Sequence, residues 1–168
     1  MVGAAKYPFK RIGRRLRKLE AELEGSYGFV EGSVWYPSER FIEEAHEMVL
    51  EEYGGHTGYE TGIHLYNVIL GQVKATDGIY QKAAVLLRKL STRPCIYADG
   101  NHRLALVTVE TFLRKNGLRI WTKDSLEIYR FIKGIMQHNI DEIAEWLRNG
   151  PKESSSNEDS GICDGKKV

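Results

Sequence analysis

Five consecutive residues in the second half of the chain combine side chains that bind phosphate. They are Asp99, Gly100, Asn101, His102 and Arg103. An arginine guanidinium donates two hydrogen bonds to phosphate oxygens at once, and a glycine lets the main chain approach a ligand closely. An aspartate carboxylate is a common ligand of Mg²⁺ beside phosphate groups. This combination could therefore hold a phosphate group and a metal ion in one place.

The segment precedes a stretch with the pattern of a buried helix. From 103 to 115 the apolar residues cover more than one helical face, and Asn116-Gly117 can end the helix. The first N–H groups of a helix are unpaired and carry a partial positive charge, which attracts anions. The segment therefore has the outline of a phosphate site at this helix start, with Asp99 as the metal ligand. The structural alternative is that Asp99 caps the helix, the next two residues form a turn, and Arg103 is a surface charge.

Helical periodicity and turn residues recur along the rest of the chain. Seven helices are expected, at about 11–24, 39–53, 63–72, 79–90, 103–115, 124–137 and 139–148. Glycines around Trp35 predict an extended stretch or a short hairpin before the second helix. We predict an all-α bundle around the central buried helix. The expected parts are an N-terminal extension with a peripheral basic helix (1–33), a main domain (34–149) and a disordered polar tail (150–168).

The charges and the apolar runs exclude several classes of protein. The 168 residues include 24 basic and 23 acidic side chains, a balance that favours neither nucleic acid nor an anionic membrane surface. No apolar run approaches the roughly 20 residues needed to cross a bilayer, and the basic N-terminus lacks the apolar core of a signal peptide. Cys95 and Cys163 are too few for a disulfide framework. We expect a soluble cytoplasmic protein with free thiols.

Four further histidines and one loop complete the candidates. His46, His56, His64 and His138 are too scattered to suggest a metal site, and we expect ordinary surface or loop roles for them. The glycine-rich loop 55–62 has the composition of a mobile segment, and such loops often carry function.

Residues 95–106 resemble the signature of the Fic/Doc family. Their sequence, Cys-Ile-Tyr-Ala-Asp-Gly-Asn-His-Arg-Leu-Ala-Leu, is similar to the motif His-x-Phe-x-(Asp/Glu)-Gly-Asn-(Gly/Lys)-Arg and to the Thr-Ala-Leu that follows it in the Doc (death-on-curing) branch. Segments 110–117 and 142–147 also look like Doc-type sequences, as does the stretch from 36 to the glycine-rich loop. The resemblance spans roughly Trp35 to Arg148.

This resemblance implies a Fic/Doc-type helical bundle and an activity that uses Mg-ATP. Asp99 would hold Mg²⁺, Arg103 would bind phosphate, Asn101 would belong to the anion site, and Gly100 and His102 would lie beside the nucleotide. The implied reaction transfers a phosphoryl or AMP group to a protein hydroxyl. Doc-type members are toxins that phosphorylate a translation factor, elongation factor Tu. The segment that restrains many Fic proteins, Ser/Thr-x-x-x-Glu-Gly/Asn, has no full match here, which implies a separate antitoxin chain as the restraint.

Three positions depart from the family motif. Cys95 stands where the family has the histidine credited with taking the proton from the target hydroxyl. Either the helix start and Arg103 lower the pKa of this thiol so that it accepts a proton, or Cys95 is a small buried residue in a module that binds nucleotide or protein without catalysis. Tyr97 replaces phenylalanine and keeps an aromatic anchor if its hydroxyl finds a partner. His102 resembles the lysine of Doc-type members, or is a helix-terminus histidine without a ligand.

Overall fold

A computed structural model of the chain describes residues 9–22 and 25–152. These residues form seven α-helices, one 3₁₀ turn and two strands, so the fold is largely helical, as expected. In chain order the elements are α1 (Phe9–Glu22), β1 (Gly28–Glu31), β2 (Val34–Pro37), α2 (Glu39–Tyr53), α3 (His64–Lys74), α4 (Ile79–Ser91), α5 (Asn101–Lys115), α6 (Ser125–Lys133), the 3₁₀ turn (Ile135–Gln137) and α7 (Ile140–Asn149).

The prediction that α5 is the central helix is confirmed. Every residue from Leu104 to Val109 is buried, and so are Phe112 and Leu113. α5 packs against α4, α2 and β2, and α4 packs in turn against α3 and α7. A helix with neighbours on several sides must be apolar on several faces, which explains its sequence.

The start and end of α2 follow the sequence closely. The Ser38 hydroxyl accepts a hydrogen bond from the Phe41 N–H at 3.2 Å, as an N-cap residue should. The helix ends where Gly54 adopts a positive φ of 74°, which only glycine adopts without strain. The end of the helix at Gly54 determines where the glycine-rich loop begins.

Other boundaries differ from the sequence-based predictions or cannot be compared with them. The helix expected over 124–137 ends at Lys133, and Gly134 separates it from the 3₁₀ turn, because glycine is a poor helix former. Leu23, Glu24 and the expected tail from 153 onward, including Cys163, lie outside the described residues. Within the described part of the chain, no helix has the length and apolar character to span a bilayer.

The predicted hairpin is confirmed, and Asn116 attaches it to the central helix. β1 and β2 pair antiparallel, with Val30 opposite Trp35, across the expected boundary between 33 and 34. The Asn116 side chain accepts a hydrogen bond from the Trp35 N–H at 2.9 Å and donates to the Trp35 carbonyl at 3.0 Å. It also donates to the Phe112 carbonyl at 2.8 Å, at the end of α5. One amide therefore joins the hairpin to the central helix.

We expect Asn116→Ala to lower the free energy of unfolding by about 1–3 kcal/mol, because it leaves half-buried main-chain groups of Trp35 without a partner. Urea unfolding followed by circular dichroism measures this change. Asn149→Ala is the matched control: among the described residues the Asn149 amide donates only to the Glu145 carboxylate, in an exposed hydrogen bond, so its effect should stay within about 0.5 kcal/mol. Equal effects of the two substitutions would contradict this role of Asn116.

Candidate functional site

The turn before α5 depends on a left-handed glycine. Gly100 has φ 79° and ψ 9°, and its carbonyl accepts the first helical hydrogen bond from Leu104 at 3.0 Å. No described side chain caps α5, so the alternative in which Asp99 is the N-cap is wrong. The main-chain N–H groups of Asn101 and His102 begin the helix without an intrahelical partner. An uncapped helix start of this kind attracts an anion.

The Asp99 carboxylate is held by two main-chain N–H groups. One oxygen accepts from the Gly100 N–H at 2.8 Å, and the other accepts from the His56 N–H at 3.0 Å. These hydrogen bonds, first that from His56 and then that from Gly100, lower the pKa of Asp99. The carboxylate is therefore ionised at neutral pH, and each oxygen has a lone pair left for a cation.

His46 belongs to this site, and the expectation that it has a surface role is wrong. It is 4% exposed, and its Nε2 lies 2.8 Å from the main-chain oxygen of Asp99. A carbonyl oxygen only accepts hydrogen bonds, so Nε2 donates. Burial lowers the pKa of His46, and the bond to Asp99 opposes that shift. A sequence signal was present, because Ile42 and Val49 place His46 on the apolar face of α2.

Tyr97 links His46 to the start of α5. Its ring stacks on the His46 imidazole with centroids 3.5 Å apart and planes 3° apart. The Asn101 amide accepts from the Tyr97 N–H at 3.3 Å and donates to the Tyr97 carbonyl at 2.9 Å. Asn101, predicted as part of the anion site, therefore also holds the preceding segment in place. The Tyr97 hydroxyl is buried and has no hydrogen-bond partner among the described residues.

The glycine-rich loop crosses the site and pairs with the motif segment. The N–H groups of Glu60 and Gly62 donate to the Ile96 carbonyl, and the Ala98 N–H donates to the Gly58 carbonyl at 3.0 Å. Gly55 passes so close to Asp99 that a Cβ there would lie 2.7 Å from the carboxylate. The loop is thus hydrogen-bonded along its length to the residues that precede α5.

All six predicted site residues line one open cleft of about 350 Å³. Besides Cys95 and the segment Asp99 to Arg103, its wall includes Ser91, Ala98 and Tyr129. The Arg103 guanidinium lies over the Tyr53 ring, 3.9 Å from its centroid, at the end of α2. This volume is near the lower end of the range for small-molecule sites. The tertiary structure therefore brings the predicted residues together at one surface.

Cys95 is buried, and the hypothesis of a lowered thiol pKa is wrong. The residue is 8% exposed. Burial raises the pKa of Cys95, the Glu60 carboxylate raises it further, and Arg93, not Arg103, opposes the shift. The thiol is accordingly neutral at pH 7. This favours the alternative in which Cys95 is a small packed residue.

The residues of the cleft fit a magnesium ion that would be coordinated by the protein and by phosphate oxygens together. Asp99 supplies an ionised carboxylate, and Mg²⁺ in nucleotide sites is usually held by one or two carboxylates, phosphate oxygens and waters. The described residues contain no group of three or more His, Cys, Asp or Glu side chains that could hold a metal ion. Phosphate oxygens and waters would therefore have to complete the coordination.

No protein-family model matches this chain, and no curated protein is significantly similar to it. The resemblance to the Fic/Doc family thus rests on the sequence of residues 95–106 and of the segments around it.

We expect Gly100→Ala to lower the free energy of unfolding by about 1–2 kcal/mol, since alanine is strained at a positive φ. Its Cβ would also meet His46 Nε2 at 3.4 Å. Gly71→Ala is the control: Gly71 lies inside α3 with no atom near its added Cβ, and alanine should stabilise there by about 0.5–1 kcal/mol. Thermal unfolding of both variants gives the comparison. If Gly100→Ala left the stability unchanged, the turn would not require glycine at this position.

We expect Cys95 to react with iodoacetamide at least about tenfold more slowly in the folded protein than in 8 M urea at pH 7.5, because burial limits access and suppresses the thiolate. Mass spectrometry of the peptide containing Cys95 follows the reaction. The same peptide in urea serves as its own reference. Equal rates in the two conditions would show an accessible thiolate.

Proposed function

We propose that this chain binds Mg-ATP in the cleft at the start of α5 and transfers a phosphoryl or AMP group to a hydroxyl of a protein. The observation that carries the proposal is the common location of Asp99, Arg103 and the uncapped start of α5 around one open cleft. The resemblance to the Fic/Doc family supplies the reaction class.

The cleft offers three complementary contacts to a nucleotide. The main-chain N–H groups at the start of α5 favour phosphate oxygens. Arg103 lies in the cleft wall and is supported by the Tyr53 ring, so its planar group is oriented before a ligand arrives. Asp99 is ionised and could hold Mg²⁺, which neutralises charge on the phosphate oxygens when bound. Phosphoryl transfer depends mainly on such positioning and electrostatics, and it needs no covalent bond to the protein.

Two side chains in the cleft wall could take the proton from an acceptor hydroxyl. The raised pKa of Cys95 makes it a poor proton acceptor at neutral pH. His102 is exposed, lines the same cleft, and carries an imidazole, a side chain that often acts as a general base. We therefore assign the proton transfer to His102.

The buried, neutral thiol also supports a second candidate function. A cleft that keeps its phosphate contacts but replaces the motif histidine with Cys95 would bind nucleotide, or a partner protein, without transferring a group. In this alternative Asp99 and Arg103 keep their binding roles, and only the transfer step is lost.

Two partners complete the proposed function. The acceptor is a protein with an exposed hydroxyl, with a translation factor as the first candidate. The restraint is an antitoxin chain, in the manner of a toxin–antitoxin pair. We propose both from the resemblance to the Doc branch.

Labelling with radioactive ATP tests the reaction. Incubation of the protein with Mg²⁺, ATP and cell extract should label one extract protein, and Arg103→Ala should lower the label by about 100-fold or more, since a charged phosphate contact is removed. Transfer of label from the γ position identifies a kinase, and transfer from the α position identifies an AMP transferase. Cys95→His should raise the labelling, and His102→Ala should lower it.

The matched control is Arg148→Ala. Arg148 also lies over a tyrosine ring, 4.9 Å from the centroid of Tyr80, but it is not part of the cleft wall. Its substitution should leave the labelling unchanged. If neither the native chain nor the Cys95→His variant labels a protein while calorimetry still detects ATP binding, the transferase proposal fails and the binding module stands.

A further inference from the structure

One face of α2 contacts the turn before α5 and the start of that helix. His46, Leu50 and Tyr53 are four and three residues apart, so they share one face of α2 over about two helical turns. His46 Nε2 lies 2.8 Å from the Asp99 carbonyl oxygen. The Leu50 side chain lies 3.5 Å from the position of a Cβ built on Gly100. α2 therefore holds the turn, and its third residue on this face is next to α5 itself.

Tyr53 contacts the Arg103 guanidinium with the face of its ring. The central carbon of the guanidinium lies 3.9 Å from the ring centroid, which is the van der Waals separation of two carbon atoms. The guanidinium reaches this distance only with its plane against the ring, because an N–H pointing at the ring would hold the central carbon farther away by one C–N bond. Both side chains are half-buried. A cation is attracted to an aromatic face, and more strongly where water is partly excluded.

Phosphate binds a different part of the same guanidinium. All five N–H groups of an arginine lie in the plane of the group, and two of them can bind two oxygens of one phosphate. The contact with the Tyr53 ring uses the face of the group, so it does not compete with phosphate. An arginine side chain that is ordered only on binding loses rotamer freedom, which costs affinity. A contact made before the ligand arrives lowers that cost.

The position of the Tyr53 ring is fixed by the end of α2. Tyr53 is the last residue of the helix, and the Gly54 N–H donates to the Leu50 carbonyl at 2.7 Å. The ring also packs against the hydrophobic core. Packing alone needs only an apolar side chain here, whereas attraction of a guanidinium needs an aromatic ring. The two roles can therefore be separated by substitution.

We propose that Tyr53 is a positioning residue, which orients Arg103 so that the cleft takes a polyphosphate by the edge of the guanidinium. Tyr53 itself lies outside the described lining of the cleft, so it acts through Arg103 and not by touching the ligand. The polyphosphate as ligand rests on the proposed function, whereas the orientation of Arg103 is a property of the chain without a ligand.

Calorimetric titration with Mg-ATP and with magnesium tripolyphosphate tests the effect on binding. Tyr53→Leu keeps an apolar side chain but removes the ring, and it should weaken the binding of both ligands by about tenfold. Tyr53→Phe keeps the ring and should bind within about twofold of the native chain. In the Arg103→Ala background, titrated to millimolar ligand, Tyr53→Leu should have no further effect, because the ring acts only through this guanidinium.

Nuclear magnetic resonance of the free protein tests the orientation without a ligand. The ring current of Tyr53 should shift the side-chain proton resonances of Arg103 upfield. Tyr53→Leu should remove this shift and Tyr53→Phe should keep it. An Arg103 signal without an upfield shift in the native chain would overturn the proposal, whatever the affinities are.

The matched control is Tyr80→Leu. Tyr80 also lies under an arginine, with the Arg148 guanidinium 4.9 Å from its centroid, but neither residue belongs to the described lining of the cleft. This variant should change both affinities by less than about twofold, and circular dichroism should show that every variant is folded.

The outcomes separate the positioning role from the proposed function. The positioning role is overturned if Tyr53→Leu binds like the native chain, if Tyr53→Phe loses as much affinity as Tyr53→Leu, or if the loss is the same without Arg103. Ring-dependent binding of both ligands without labelling of a protein contradicts only the transfer reaction. Ring-dependent binding of tripolyphosphate but not of ATP contradicts only the nucleotide. If neither ligand binds the native chain, both proposals fail.

Discussion

The hydrogen bond from the buried His46 imidazole to the main-chain oxygen of Asp99 is the interaction on which the site depends. It joins α2 to the turn before α5 inside the protein, where a lost partner would be costly. Gly100 packs against the same imidazole, and Tyr97 stacks on its face. The direction in which α5 leaves the turn, and so the position of Arg103, follows from these contacts.

Two titratable side chains within five residues of each other have pKa shifts in opposite directions. Asp99 accepts two main-chain hydrogen bonds, which stabilise its charged form and lower its pKa. Cys95 is enclosed by packing, with Glu60 nearby, so its neutral form is favoured and its pKa rises. A cleft built in this way presents an ionised carboxylate, but it does not supply a thiolate. The chemistry that we propose accordingly uses positioning and charge, with the proton transferred elsewhere.

The ring stack connects the cleft with the outer face of α2. Tyr97 stacks on His46, which holds the Asp99 turn, and on Tyr59, whose hydroxyl lies 3.5 Å from the Glu43 carboxylate of α2. Loop 58–62 is hydrogen-bonded to the segment that begins the cleft wall. The exposed Tyr59 ring is thus part of a structure continuous with the site. This continuity is a property of tertiary packing, because residues from α2, the loop and the motif segment are far apart in sequence.

The sequence alone determined the helices, the hairpin and the central place of α5, because these follow from local apolar spacing and from turn residues such as Ser38 and Gly54. It also singled out the segment Asp99 to Arg103 as the candidate site, since these residue types suit phosphate binding. Only the tertiary structure decided which groups surround that segment. The role of His46 depends on a partner 53 residues away. The thiol pKa of Cys95 depends on burial and on Glu60, which is distant in sequence. Neither can be derived from local spacing.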